Sequence, residues 1–184
     1  IKIFFNVFFL NFYIMSFRKD PSTPKDKKKE SQITPKKHPY VAIDQPLKQI
    51  FSFNDIHISK YCSSIIIKGK RIQNFVGLPA IENLTILNLD SNPIKNFKGA
   101  PRLPSLRWLS IRNTPISRSE YFKLMCLVAF GTNIVTINDM KAPQKCKEQA
   151  LIIEKDLLPE LQKGRIITNL KPLRLIDTDS SDRV

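Results

Sequence analysis

The residues of this 184-residue chain best suited to chemistry are two histidines, His38 and His57, and three cysteines, Cys62, Cys126 and Cys146. These types supply bases, nucleophiles and metal ligands near neutral pH. Their arrangement supplies none of these here. There is no C-x-x-C pair, and two distant histidines without partnered thiols do not make a zinc set. An odd number of thiols does not build a disulfide scaffold. The cysteines read as small buried hydrophobes of a protein in a reducing compartment, cytoplasmic or nuclear. His57 reads as a hydrogen-bonded cap residue, and His38 lies in a proline-rich arm. The acids between residues 40 and 142 (Asp44, Asp55, Glu82, Asp90, Glu120 and Asp139) are scattered, and no Ser/His/Asp order stands out. Neither G-x-x-x-x-G-K-[ST] nor G-x-G-x-x-G occurs, and 5 Gly stand against 13 Pro. The expectation is a non-enzymatic protein with no catalytic residue, metal, cofactor or small-molecule substrate.

Charge is the first positive signal. Thirty Lys and Arg against sixteen Asp and Glu give +14, on an otherwise globular composition of 42% hydrophobic residues. Residues 16–39 hold eight basic and three acidic side chains with four prolines. Residues 15–39 are therefore expected to be a disordered basic arm. Its runs Lys27-Lys28-Lys29 and Lys36-Lys37 could contact nucleic acid, because clustered lysines release counterions from a phosphate backbone, or act as a nuclear address. Residues 1–14 are apolar but too short to span a bilayer and lack a signal-peptide cleavage pattern. They read as in-frame sequence upstream of Met15, with an uncleaved anchor as the alternative, so a membrane role is not expected.

The elements that would position any site come from a repeat. Leu84-x-x-Leu87-x-Leu89-x-x-Asn92-x-Ile94-x-x-Phe97 recurs 22 residues later as Leu106-x-x-Leu109-x-Ile111-x-x-Thr114-x-Ile116. It recurs 22 residues earlier as Cys62-x-x-Ile65-x-Ile67-x-x-Lys70-x-Ile72-x-x-Phe75. A weaker copy precedes these, with Ile43, Ile50 and Phe53 at the corresponding offsets. Alternate residues such as Leu87 and Leu89 point to one side of a strand, and the later Ile and Phe close the unit behind them.

This pattern resembles the leucine-rich repeats of the 22-residue class, of the phosphatase-regulator and spliceosomal A-prime type. The resemblance implies an α/β fold: a leucine-rich-repeat solenoid with a short parallel sheet on its concave face, a C-terminal capping helix and a helical tail. The repeat domain with its cap is placed at residues 40–142, the helical tail at 143–176 and a disordered tail at 177–184. The asparagine position of the family holds Lys70, Asn92 and Thr114.

The sequence after the third repeat fits a cap. Ser117-x-x-Glu120 has capping-box spacing, Gly131 is a natural stop, and the residues between are apolar on nearly every side, which requires burial. From residue 143, Ala150, Ile153, Leu157 and Leu161 share a helix face, and Pro159 is expected to kink or break it. Residues 166–176 are apolar enough to dock on the domain or on a partner.

The concave face is the expected binding surface of such a solenoid, and repeat arithmetic assigns its exposed strand positions. They are Ser64, Ile66, Lys68 and Gly69, then Ile86, Asn88, Asp90 and Ser91, then Trp108, Ser110, Arg112 and Asn113, extended by Thr136 and Asn138. Ile86 should neighbour Trp108, and Asp90 should neighbour Lys68 and Arg112. The partner-binding set is Ile66, Lys68, Ile86, Asn88, Asp90, Trp108, Ser110, Arg112 and Asn113. The function expected is a protein-protein interaction scaffold with a protein partner. The alternative is a ribonucleoprotein component that binds an RNA-binding protein and RNA, against which stands the lack of a legible aromatic platform for bases.

Overall fold

The computed structural model describes residues 40–43 and 49–178. The expectations for residues 1–14, for the arm 15–39 and for residues 179–184 lie outside the described residues.

Runs rich in β-branched and other apolar residues produce short strands that recur along the chain. β1 (Tyr40–Ile43), β2 (Ser64–Ile67), β3 (Ile86–Asn88), β4 (Trp108–Ser110) and β5 (Thr136–Ile137) lie side by side in chain order and parallel. β6 (Met140–Lys141) turns back antiparallel on β5. The molecule is thus α/β, with a mostly parallel sheet. Ser64, Ile86 and Trp108 are successive Cα partners, which gives the middle strands the 22-residue register of the sequence. The first pairing departs from it. Ile43 pairs with Ile67 rather than Ile65, while Phe53 stacks on Phe75 in the 22-residue register. Two additional residues therefore fall between Ile43 and Ile50.

The inward strand positions Ile65, Ile67, Leu87, Leu89, Leu109 and Ile111 are fully buried, as are Ile72 and Ile94 behind them. At the back of the core Phe53, Phe75 and Phe97 form a column, with ring centroids 6.3 and 5.7 Å apart and planes nearly parallel. Phe130 meets Phe75 and Phe97 edge-on at 5.1 and 5.9 Å. Such pairs add about 0.5–1.5 kcal/mol each beyond the area they bury. The column packs tightly enough to govern backbone approach. A Cβ on Gly99 would lie 2.8 Å from Val76 Cα, and one on Gly77 would lie 2.8 Å from Asn54 N, both at positive φ. Asn92 works inside the turn. Its amide donates to the carbonyls of Ile67 (2.8 Å) and Leu89 (2.9 Å), and its oxygen accepts from Ile72 N–H. Thr114 can do less, and donates to the Ile111 carbonyl at 2.9 Å.

Helix α1, at the position expected for a cap, spans Phe122–Phe130, and every residue of it except Lys123 is buried. Gly131 ends it at positive φ, its N–H on the Leu127 carbonyl. The expected capping box at Ser117 and Glu120 does not form. Ser117 donates to the Thr114 carbonyl at 2.7 Å, residues Ile116–Arg118 make a 3₁₀ turn, and Tyr121 precedes the helix without a side-chain cap. The hydroxyl is consumed one turn too early.

Helix α2 (Gln144–Gln162) continues through Pro159, so of the expected kink or break the break does not occur. The proline sits in the last turn, where its missing N–H costs one bond near an end that frays anyway. Ala150, Leu157 and Leu161 are buried, with Ile153 half-buried. Arg102 ties α2 to the strand layer through Glu154 (2.9 Å) while donating to the Val128 carbonyl.

The expected helical tail to residue 176 is corrected after Gly164. β7 (Arg165–Leu170) and β8 (Leu173–Asp177) form an antiparallel hairpin with an irregularity between Ile167 and Asn169. Ile166-Ile167-Thr168 is a β-branched run and Lys171-Pro172 a turn, so local preference is for strand. The hairpin docks on its own domain. Ile167 is buried with its N–H on Met125 Sδ (3.4 Å), and Thr178 accepts from Asn96 and donates to the Gly164 carbonyl. Asp177 and Thr178, expected in the polar tail, thus belong to the folded part.

Candidate functional site

The sheet face opposite the aromatic column carries the strand positions that alternate with the buried ones. One cross-strand row runs Ser64, Ile86, Trp108, Thr136, and the next runs Ile66, Asn88, Ser110. Ile86 and Trp108 are direct Cα partners, as the register predicts. Ile86 is 37% exposed, and Ile66, Trp108 and Thr136 are half-buried. Together with Lys68, Arg112 and Asn113, which are exposed, they are the part of the expected binding set that reaches solvent.

The rest of that set lies deeper than expected. Asn88 is 3% exposed, Asp90 6% and Ser110 not at all, and Ser64 is buried as well. Strand alternation assigns a residue to a face but does not say how deep it lies, and parallel strands roughly 4.8 Å apart let large side chains close over small ones. The small polar residues also have work to do beneath. Asn88 Oδ1 accepts from Asp90 N–H (3.1 Å), and Ser110 Oγ donates to Asp90 Oδ1 (2.5 Å). They form the floor of the site.

Asp90 is the centre of its electrostatics. Arg112 donates from Nε (3.1 Å) and Nη2 (2.9 Å) to Asp90 Oδ2, while Arg112 N–H reaches Oδ1 at 2.8 Å. The same guanidinium pairs through Nη1 with Asp139. Burial works against the Asp90 charge. The hydrogen bonds from the Arg112 guanidinium, the Ser110 hydroxyl and the Arg112 backbone outweigh it and hold the carboxyl below the ordinary carboxylate range. Asp139 was only a scattered acid in the sequence, and the signal that could have found it is its place at the end of the row Asp90, Arg112. Lys68, expected beside Asp90, is exposed at the end of β2, where the next residue's N–H bonds the Asp90 carbonyl.

Chemically the surface is an apolar spot of Ile66, Ile86 and Trp108 over a satisfied polar floor, bordered by charge. Cys62 and Cys126 are buried, Cys146 is half-buried, and burial pushes the Cys126 thiol well up, away from nucleophilic use. His57 is exposed beyond the 3₁₀ turn Phe53–Asp55, whose cap is Ser52. Among the described residues no three His, Cys, Asp or Glu side chains converge to hold a metal ion, and no helix is long and apolar enough to cross a membrane. A concavity of about 590 Å³ opens between Pro115–Tyr121 and β7, away from the sheet face, lined in part by Lys95, Arg118 and Glu120. No protein-family model matches the chain, and no curated protein is significantly similar to it.

Proposed function

We propose that residues 40–142 are a capped leucine-rich-repeat solenoid of the 22-residue class and that the protein is a non-enzymatic interaction scaffold binding a protein partner through its sheet face. The repeat reading is supported by strands that pair in parallel 22 residues apart, by the Phe53, Phe75, Phe97 column at the same spacing, and by Asn92 bonding across two turns. The unpaired cysteines suit a reducing compartment, the cytoplasm or nucleus.

The observation that carries the function is the pairing of exposed Ile86 with Trp108 over a floor whose polar groups are already hydrogen-bonded. Aromatic anchors ringed by polar residues are where interface energy concentrates. Quantitative affinity capture with the full chain tests it. Ile86→Asp and Trp108→Ala should each deplete the same partner at least tenfold, while Lys155→Ala on α2 leaves its recovery unchanged. Equal recovery by all three variants would reject the sheet face as the binding surface.

A further inference from the structure

The turn after β2 keeps the backbone conformation of its successors but differs from them in charge. Residues 68–71 read Lys68-Gly69-Lys70-Arg71, three cations in four positions, where the equivalent turns read Asp90-Ser91-Asn92-Pro93 and Arg112-Asn113-Thr114-Pro115. Gly69, Ser91 and Asn113 all have φ near +60°, so the backbone conformation is shared. Beside the first turn stands Phe51. Its neighbours Ile50 and Phe53 are fully buried, and the N–H groups of Phe51 and Ser52 both donate to Asp55 Oδ2. This fixes the segment with Phe51 facing outward, 52% exposed. Arg71 N–H bonds the Ile50 carbonyl at 2.9 Å, and its guanidinium carbon lies 5.6 Å from the Phe51 ring centroid.

A simple anion would account for the cations and not for the ring, and an apolar partner for the ring and not the cations. Unpaired nucleotides present both a charged backbone and flat faces that stack on aromatic side chains and guanidinium planes. The charge of the domain acts in the same direction. Residues 49–178 hold 19 Lys and Arg against 10 Asp and Glu, and Asp90, Asp139, Glu154 and Glu160 are engaged in ion pairs within the fold. We propose that the corner formed by Phe51, Lys68 and Arg71 binds single-stranded nucleic acid. A base stacks on the Phe51 and Arg71 surface, and Lys68 and Arg71 neutralise the flanking phosphates. The corner borders the protein-binding face and shares Lys68 with it, while Phe51 and Arg71 lie outside that set, so the nucleic-acid contact stands independently of the protein-binding reading.

Fluorescence anisotropy of the full chain with a labelled twelve-nucleotide oligouridine, and with a twelve-base-pair duplex of the same length, tests the assignment. Phe51→Leu keeps an apolar side chain and removes the ring, so it should weaken single-strand binding about 5- to 150-fold and leave duplex binding unchanged. Lys68→Gln combined with Arg71→Gln should lower the slope of log affinity against log salt by about 1.4, at roughly 0.7 per phosphate contact on a single strand. Circular dichroism melting identifies the folded variants. Should Phe51→Leu fail to fold, Phe51→Tyr retaining wild-type affinity alongside the altered slope supports the stacking role. Three results would overturn it: single-strand affinity unchanged in folded Phe51→Leu, an equal loss on single strand and duplex, or no measurable oligouridine binding by the wild-type chain.

Discussion

Arg112 grips the carboxylate of Asp90 across the sheet, with Nη2 2.9 Å and Nε 3.1 Å from Oδ2, and adds its own backbone N–H to Oδ1. The side chain of Asp90 is 9% exposed and that of Arg112 45%. Arg112 therefore acts first on the fold, as the group that allows a carboxylate to be buried beneath the sheet face. Arg112→Ala should destabilise the domain by about 1–3 kcal/mol, the cost of removing charge-assisted hydrogen bonds from a largely buried acceptor. Arg112→Lys should recover only part, because an ammonium lacks the planar fork. Urea denaturation midpoints measure both, and a midpoint unchanged in Arg112→Ala would show that water replaces the guanidinium without loss. From sequence alone Arg112 was one of the exposed partner-binding positions, and its contacts with Asp90 give it a structural part as well.

The same pair makes stability depend on acid. Asp90 titrates near 3.9 in an unfolded chain and lower in the fold, so the unfolded state binds more protons in between. The stabilisation is complete above the unfolded value and disappears as pH falls through the folded one. Asp90→Asn cannot titrate at this position. Its deficit relative to wild type should be greatest above about pH 5 and shrink towards pH 2. A deficit constant across urea titrations at those two pH values would mean that the carboxylate charge contributes nothing.

Adjacent residues of β3 should respond oppositely. Leu87 is fully buried while Ile86 is 37% exposed on the other face. Leu87→Ala should cost about 2–5 kcal/mol through lost burial and the cavity left behind. Ile86→Ala should cost less than about 1 kcal/mol, because much of its side chain is already in water. Thermal or chemical melts of the two variants decide it, and equal losses would place the strand one residue out of register.

The period was legible in sequence because every turn buries the same positions, so Leu87, Leu109 and Ile65 announce themselves at a fixed spacing. The Ile86 and Trp108 pairing followed by arithmetic. Depth on the sheet face was not legible. Asn88, Asp90 and Ser110 alternate with buried residues as exposed ones would, and their burial depends on neighbouring side chains and on the pull of Arg112. Phe51 was missed for a related reason. It sits in the weakest copy of the repeat, where only the inward positions Ile50 and Phe53 carry the pattern. The β-branched run of β7 and the turn at Lys171-Pro172 were signals for strand, but whether residues 166–176 cover their own domain or a partner was not legible, because apolar residues suit both. The contacts with Met125 and Asn96 place the segment on its own domain.

The hairpin also yields a prediction about cooperativity. α1 is apolar at every position except Lys123 and must be covered almost all round. The strand core covers one side of it, and α2 and β7 complete the enclosure, with Ile167 buried and its N–H on Met125 Sδ. Ile167→Asp would place a carboxylate at that buried position, and a buried charge is among the costliest of single changes. The expected outcome is a lower melting temperature together with increased binding of a hydrophobic dye at 25 °C. Thr168→Asp, one residue along the same strand and exposed, should leave both nearly unchanged. A chain truncated after Gly164 should resemble Ile167→Asp, since it uncovers the same surface. If the truncated chain instead melts at the wild-type temperature without binding dye, the hairpin is an appendage, and α2 alone encloses α1.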